Sequence, residues 1–152
     1  MKSLLIILTG FILVASCNTK TENNKPVPDN EKIVYQLFEH FNKHEWEKLA
    51  SLYIDTAGFK DPSLGAGIVK QTRQQITAKY QQLNQFLPDI SDKIVNLYPS
   101  GGNNIIVEFI STGTMPGGTK IELPICTIFT IENGKISKDY TYYDNAGDPP
   151  SK

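Results

Sequence analysis

Cysteine, histidine and long apolar runs are all scarce in this sequence of 152 residues, and each shortage removes a class of function. There are two cysteines, Cys17 and Cys126, in unrelated contexts, so no disulfide framework is implied. The only histidines, His40 and His44, are four residues apart with no third ligand of matching kind nearby. They are therefore expected at the surface, with no metal between them. Basic residues number 15 against 16 acidic ones, and nothing in that balance points to nucleic acid. No Ser-His-Asp order, phosphate-binding glycine loop or dinucleotide fingerprint occurs, and Pro116-Gly117-Gly118 reads as a turn. No cofactor is expected, so an enzyme built on this chain would work by proton transfer alone.

What is present suits one modest domain: 39% of residues are hydrophobic and 10% aromatic, enough for a real core. Lys2 precedes an apolar run over residues 4–14, shorter than the ~20 residues of a spanning helix, and Ala15 and Ser16 follow. This is the pattern of a secretory signal peptide over residues 1–16. Val14-Ala15-Ser16-Cys17 resembles a bacterial lipobox, which implies lipid on Cys17, anchorage to a bacterial membrane and a domain in the cell envelope, outside the cytoplasm. Removing Lys2 from the 15 basic residues leaves 14 against 16 acidic ones, a net charge of −2. Residues 17–29 carry almost no apolar side chain and read as a tether.

Residues 30–147 carry the periodic patterns. Asp29 or Asn30 can cap a helix whose Ile33, Val34, Leu37, Phe38 and Phe41 form one apolar face, and a short second helix over residues 45–53 aligns Trp46, Leu49, Ala50 and Tyr53. Residues 54–61 read as a short edge strand stopped by Pro62. Thr72-x-x-Gln75 is a capping box opening a helix with Ile76, Tyr80, Leu83 and Leu87, ended by Pro88. Four apolar runs follow, over residues 93–98, 103–115, 120–131 and 135–144, separated by Gly-rich breakers. That is an antiparallel meander. In its third run Ile121, Leu123, Ile125, Thr127, Phe129 and Ile131 alternate with mostly polar residues, so the helices upstream must cover that face. The result is an α+β domain followed by a tail over residues 148–152.

Several motifs in this order resemble the SnoaL-like branch of the nuclear transport factor 2-like superfamily. They are Phe41-Asn42 before Trp46, Phe59-Lys60-Asp61-Pro62, Leu87-Pro88-Asp89, Gly113-Thr114, and the segment from Phe129 through Asn133-Gly134-Lys135-Ile136. The resemblance implies a curved antiparallel sheet around a cone-shaped pocket, with about three helices on its concave side. It also implies homodimerisation through the outer sheet face, here including Ile106, Ile110 and Ile128. Two departures stand out: Met115 occupies a position where the family commonly carries His, and residues 145–150 replace its usual ending.

On the last run Ile136, Lys138, Tyr140, Tyr142 and Asp144 share one face by strict alternation, and Ser137, Asp139, Thr141 and Tyr143 the other. The first set joins two phenols to a terminal carboxylate matching the acid that closes this strand in SnoaL-like sequences. Asp144 is therefore the expected general base or ligand anchor, with Asp61 as its acid partner. Tyr140, Tyr142, Trp46, Tyr53, Tyr80 and Phe129 are the expected ligand-binding set, although Trp46 on its apolar stripe also suits the core. Glu108 reads as a surface charge. The expected function is binding of a small apolar or amphipathic molecule, or else cofactor-free cyclase, isomerase or dehydratase chemistry at Asp144.

Overall fold

The structure, a computed structural model, describes residues 29–144. The expected signal peptide, Cys17, the tether before residue 29 and the tail lie outside them. Helix α1 (Asp29–Asn42) and helix α2 (Trp46–Ser51) are followed by β1 (Tyr53–Lys60), a 3-10 turn at Pro62–Leu64 and β2 (Val69–Thr72). Helix α3 (Arg73–Phe86) then leads to β3 (Ser91–Ser100), β4 (Asn104–Thr114), β5 (Lys120–Glu132) and β6 (Lys135–Tyr142). One six-stranded sheet has the order β2-β1-β6-β5-β4-β3.

This is the α+β architecture that the resemblance implies, with the meander β3 to β6 where the breakers place it. The sheet is mixed, however, because β1 runs parallel to β6. Residues 54–61 do not form an edge: β1 lies between β6 and β2, and β2, a four-residue strand absent from the sequence reading, takes the edge. The second helix is shorter than its apolar spacing suggests, because Tyr53 already belongs to β1.

Helix α1 buries Val34, Leu37, Phe38 and Phe41, with Phe38 meeting Phe109 of β4 edge-on at 4.9 Å. His44 turns the corner to α2 with a φ of 54°, a left-handed conformation that a polar hinge residue tolerates better than a branched one. Its ring stacks on Trp46 (5.1 Å), which stacks in turn on Tyr80 of α3 (5.9 Å). Both histidines are half-buried rather than surface groups: His40 Nδ1 lies 2.7 Å from Glu45 Oε2, and His44 Nε2 lies 3.0 Å from the Ile90 carbonyl. They fasten the helical corner. The Thr72 hydroxyl accepts from Gln75 N–H and the Gln75 side chain accepts from Thr72 N–H, so the capping box forms as its spacing predicts. Asp89 accepts from both the N–H and the hydroxyl of Thr114, which fixes the α3–β3 connection to the end of β4.

The β5–β6 hairpin closes through Asn133-Gly134, both at positive φ, as a two-residue turn requires. Just beyond it the register slips. Ile131 faces Ile136 but Thr130 faces Lys138, so Ser137 is an extra residue on β6, its hydroxyl donating to the Thr130 carbonyl at 3.3 Å. A bulge of this kind inverts the side-chain alternation beyond it. Ile136 and Asp139 therefore both point inward.

Candidate functional site

Between the inner face of the sheet and the three helices lies a cavity of about 710 Å³. Its apolar wall comes from Phe38 and Phe41 of α1, Leu83 of α3, and Phe109, Ile125 and Phe129 of the sheet. The strand register determines which residues reach it. Phe109 pairs with Ile125, Ser111 with both Leu123 and Asp92, and Phe129 with Asp139, placing all of these on one face. The alternating face of β5 recognised in the sequence is this wall.

Among the described residues, carboxylates interrupt the wall in three places. Asp61, at the end of β1, caps the following turn by accepting from Ser63 N–H (2.8 Å) and Ser63 Oγ (2.7 Å). It also pairs with the Lys79 ammonium of α3 and accepts from Tyr143 OH at 3.1 Å. Burial pushes the Asp61 carboxyl up, but the charge and hydrogen bonds of Lys79 and Ser63 outweigh it, and the group ends below the usual range.

Asp139 accepts from Tyr53 OH at 2.7 Å and from Thr141 Oγ1 at 3.0 Å, and Thr141 is linked to Thr127 at 2.8 Å. Burial raises the Asp139 carboxyl, against the lowering effect of Tyr53 and Lys79. Burial and the neighbouring Asp139 charge push the Tyr53 and Tyr80 phenols well above their ordinary value.

Asp92, near the start of β3, is the third. Its Oδ1 is buried without a hydrogen-bond partner among the described residues, and burial raises the carboxyl to about 7, only partly opposed by Ser111.

Of the residues expected from sequence, Asp61, Tyr80 and Phe129 line the cavity. Tyr53 stands behind the wall, fully buried, and reaches it through Asp139. Trp46 is core. Tyr140, Tyr142 and Asp144 are displaced to the outer face by the bulge at Ser137: Tyr140 pairs in register with Ile128, and Tyr142 with Cys126. Tyr142 is 43% exposed, with Lys60 Nζ 4.6 Å above its ring, and Asp144 is exposed beside a groove with Glu108, Ile110 and Pro124. The acid that β6 sends into the cavity is Asp139, not Asp144. Glu108 is outward as expected, accepting from Asn96 at 2.8 Å. Asp92 was missed because the run was started at Lys93. Begun one residue earlier, the alternation of Asp92 with Ile94 would have placed it on the apolar face.

A profile of the SnoaL-like domain matches residues 34–139, more than half of the chain. The chain belongs to the SnoaL-like domain family. The matched segment includes Asp61, Asp92 and Asp139 and stops before Asp144. Among solved structures, this SnoaL-like domain is similar to a ketosteroid isomerase-like protein from Catenulispora acidiphila in complex with trimethylamine. The two share 21% identity over 74% of this chain and 85% of that one, with a TM-score of 0.66. It is also similar to IdmH, a candidate polyketide cyclase from Streptomyces antibioticus (19% identity, 76% and 92% coverage, TM-score 0.68). A third is a candidate SnoaL-like polyketide cyclase from Jannaschia sp. CCS1 (19% identity, 81% and 91% coverage, TM-score 0.65). At these identities the likeness is one of fold. None of the curated proteins matches the chain in sequence.

Proposed function

We propose that this SnoaL-like domain binds a small, largely apolar molecule in the cavity between its helices and sheet. The observation that carries this reading is the cavity itself: about 710 Å³, walled by aliphatic and aromatic side chains, with polar groups converging at a few points. That is the usual make-up of a small-molecule site. Ala78 lines the cavity at an exposed point of α3, so Ala78→Trp should narrow the space without disturbing the core. The neutral probe 2-naphthylmethanol should bind the wild type, and its affinity should fall at least tenfold in Ala78→Trp at unchanged circular dichroism. Equal binding by both proteins would place the probe elsewhere and remove the reading.

A second reading, cofactor-free acid and base chemistry, is favoured by one arrangement. Asp139 sits in the cavity wall with its carboxyl raised by burial and oriented by Tyr53 and Thr141, as a base that must hold and release a proton would be. In this reading Asp139 takes the role expected of Asp144. The test uses 5-nitrobenzisoxazole, whose ring opens when a base removes one carbon-bound proton. Wild type should accelerate that opening over buffer and Asp139→Asn should lose about a hundredfold of the effect. Equal rates would reduce Asp139 to a structural acceptor.

The cellular setting belongs to the same proposal. Lipid on Cys17 would hold the domain at a bacterial envelope membrane, and fatty-acid labelling that survives Cys17→Ala would refute it. The outer sheet face, where Ile106 pairs with Ile128 and Ile128 with Tyr140, carries the exposed Val95, Tyr98 and Tyr142 and suits a homodimer. Sedimentation as a monomer at micromolar concentration would exclude that interface.

A further inference from the structure

Among the described residues, Asp92 is the cavity carboxylate with an oxygen left unpartnered. Asp61 is matched by Lys79, and Asp139 receives hydrogen bonds from Tyr53 and Thr141. Asp92 has Ser111 opposite it in the β3–β4 register and a buried Oδ1 that no described group donates to. Its backbone is held on both sides by one side chain: Asp92 N–H donates to Asn42 Oδ1 at 2.7 Å, and Asn42 Nδ2 donates to the Asp92 carbonyl at 2.8 Å. The strand is thus fixed so that half-buried Asp92 starts from the cavity face. Leaving one oxygen of a buried acid without a donor is costly, and such an oxygen can be completed by a bound group.

The charge of the wall says what completes it. Among the described residues, three carboxylates, Asp61, Asp92 and Asp139, line the cavity against one ammonium, Lys79, which is committed to Asp61. A neutral hydroxyl entering beside Asp92 would supply a donor but no countercharge, and an anion would be repelled. An ammonium group supplies both.

We propose that the Asp92 end of the cavity is a subsite for a positively charged nitrogen, so that the ligand is an amphipathic amine: an apolar body in the aromatic and aliphatic wall, with its ammonium on Asp92. This inference rests on the reading of the cavity as a small-molecule site and narrows the ligand to a chemical class.

The experiment compares two probes of one shape, 2-naphthylmethylamine and 2-naphthylmethanol, by calorimetry on the full mature chain near neutral pH. Wild type should bind the amine at least tenfold more tightly than the alcohol. In Asp92→Asn, which keeps the side-chain shape, that margin should vanish while the alcohol still binds, a control for the intact cavity. In Asp61→Asn the margin should persist. If the alcohol binds and the amine shows no advantage, or if the advantage survives in Asp92→Asn, the ammonium subsite is wrong while the cavity reading stands. If neither probe binds the wild type, both fall together.

Discussion

Replacing Asp92 by asparagine should stabilise the protein, and increasingly so as the pH rises. The folded carboxyl is raised by burial from its ordinary 3.8 to about 7. A folded-state value above the unfolded one means that the native state holds the proton more tightly. The group therefore costs nothing below the unfolded value, begins to cost as the pH passes about 4, and costs its full amount above about 7. A carboxyl displaced over that interval weakens the ionised folded state by on the order of 4 kcal/mol near pH 8, and by about 1 kcal/mol near pH 4.5. The amide of the variant brings a burial cost of its own, so these figures are upper bounds. Denaturant unfolding of both proteins at the two pH values checks the claim. A variant less stable than wild type near pH 8 would mean that Asp92 is satisfied in solution by groups the fold supplies. Asp139, also raised by burial, adds a cost in the same direction, whereas Asp61, held low by Lys79, contributes stability that is lost on acidification. Stability should accordingly peak in the mildly acidic range.

Lys79→Met should have the opposite sign and a comparable size. The ammonium answers Asp61, which is 8% exposed, and lies over the rings of Phe59 and Tyr80 at 5.6 and 5.1 Å. Methionine retains most of the stem's packing but leaves the carboxylate, among the described residues, with Ser63 and Tyr143. Breaking one side of such a pair costs about 3 kcal/mol, chiefly through the stranded charge rather than the lost attraction. Adding Asp61→Asn to Lys79→Met should recover most of that loss, and acidification that protonates Asp61 should shrink it. Additive effects of the two substitutions would show that the pair is uncoupled.

The readable parts of this fold were those set by local chemistry: Thr72 and Gln75 announce the start of α3, Asn133-Gly134 the last hairpin, and the β5 alternation the cavity wall. What escaped depended on pairing between distant segments. A four-residue strand such as β2 has too few side chains for a period to show, and nothing local says that β1 will lie beside β6 rather than at an edge. The site suffered most from one residue. Ile136 does face inward, and counting by twos from it leads to Tyr140, Tyr142 and Asp144; the extra residue at Ser137 exists only in relation to β5, and it sends Asp139, Thr141 and Tyr143 inward instead. Asp92 was lost by a strand boundary placed one position late, the least certain feature of any strand read from periodicity.

The stack of His44, Trp46 and Tyr80 gives the molecule a built-in optical gauge. Trp46 is the only tryptophan in the chain, it is 5% exposed, and the ring against it, Tyr80, belongs to the cavity wall. Anything that enters the cavity and shifts or polarises the Tyr80 ring changes the surroundings of a single emitter without touching it. The emission of this indole can therefore be followed during a titration with unlabelled compounds, and its amplitude separates occupants that reach Tyr80 from those that settle on the outer face beside Tyr142.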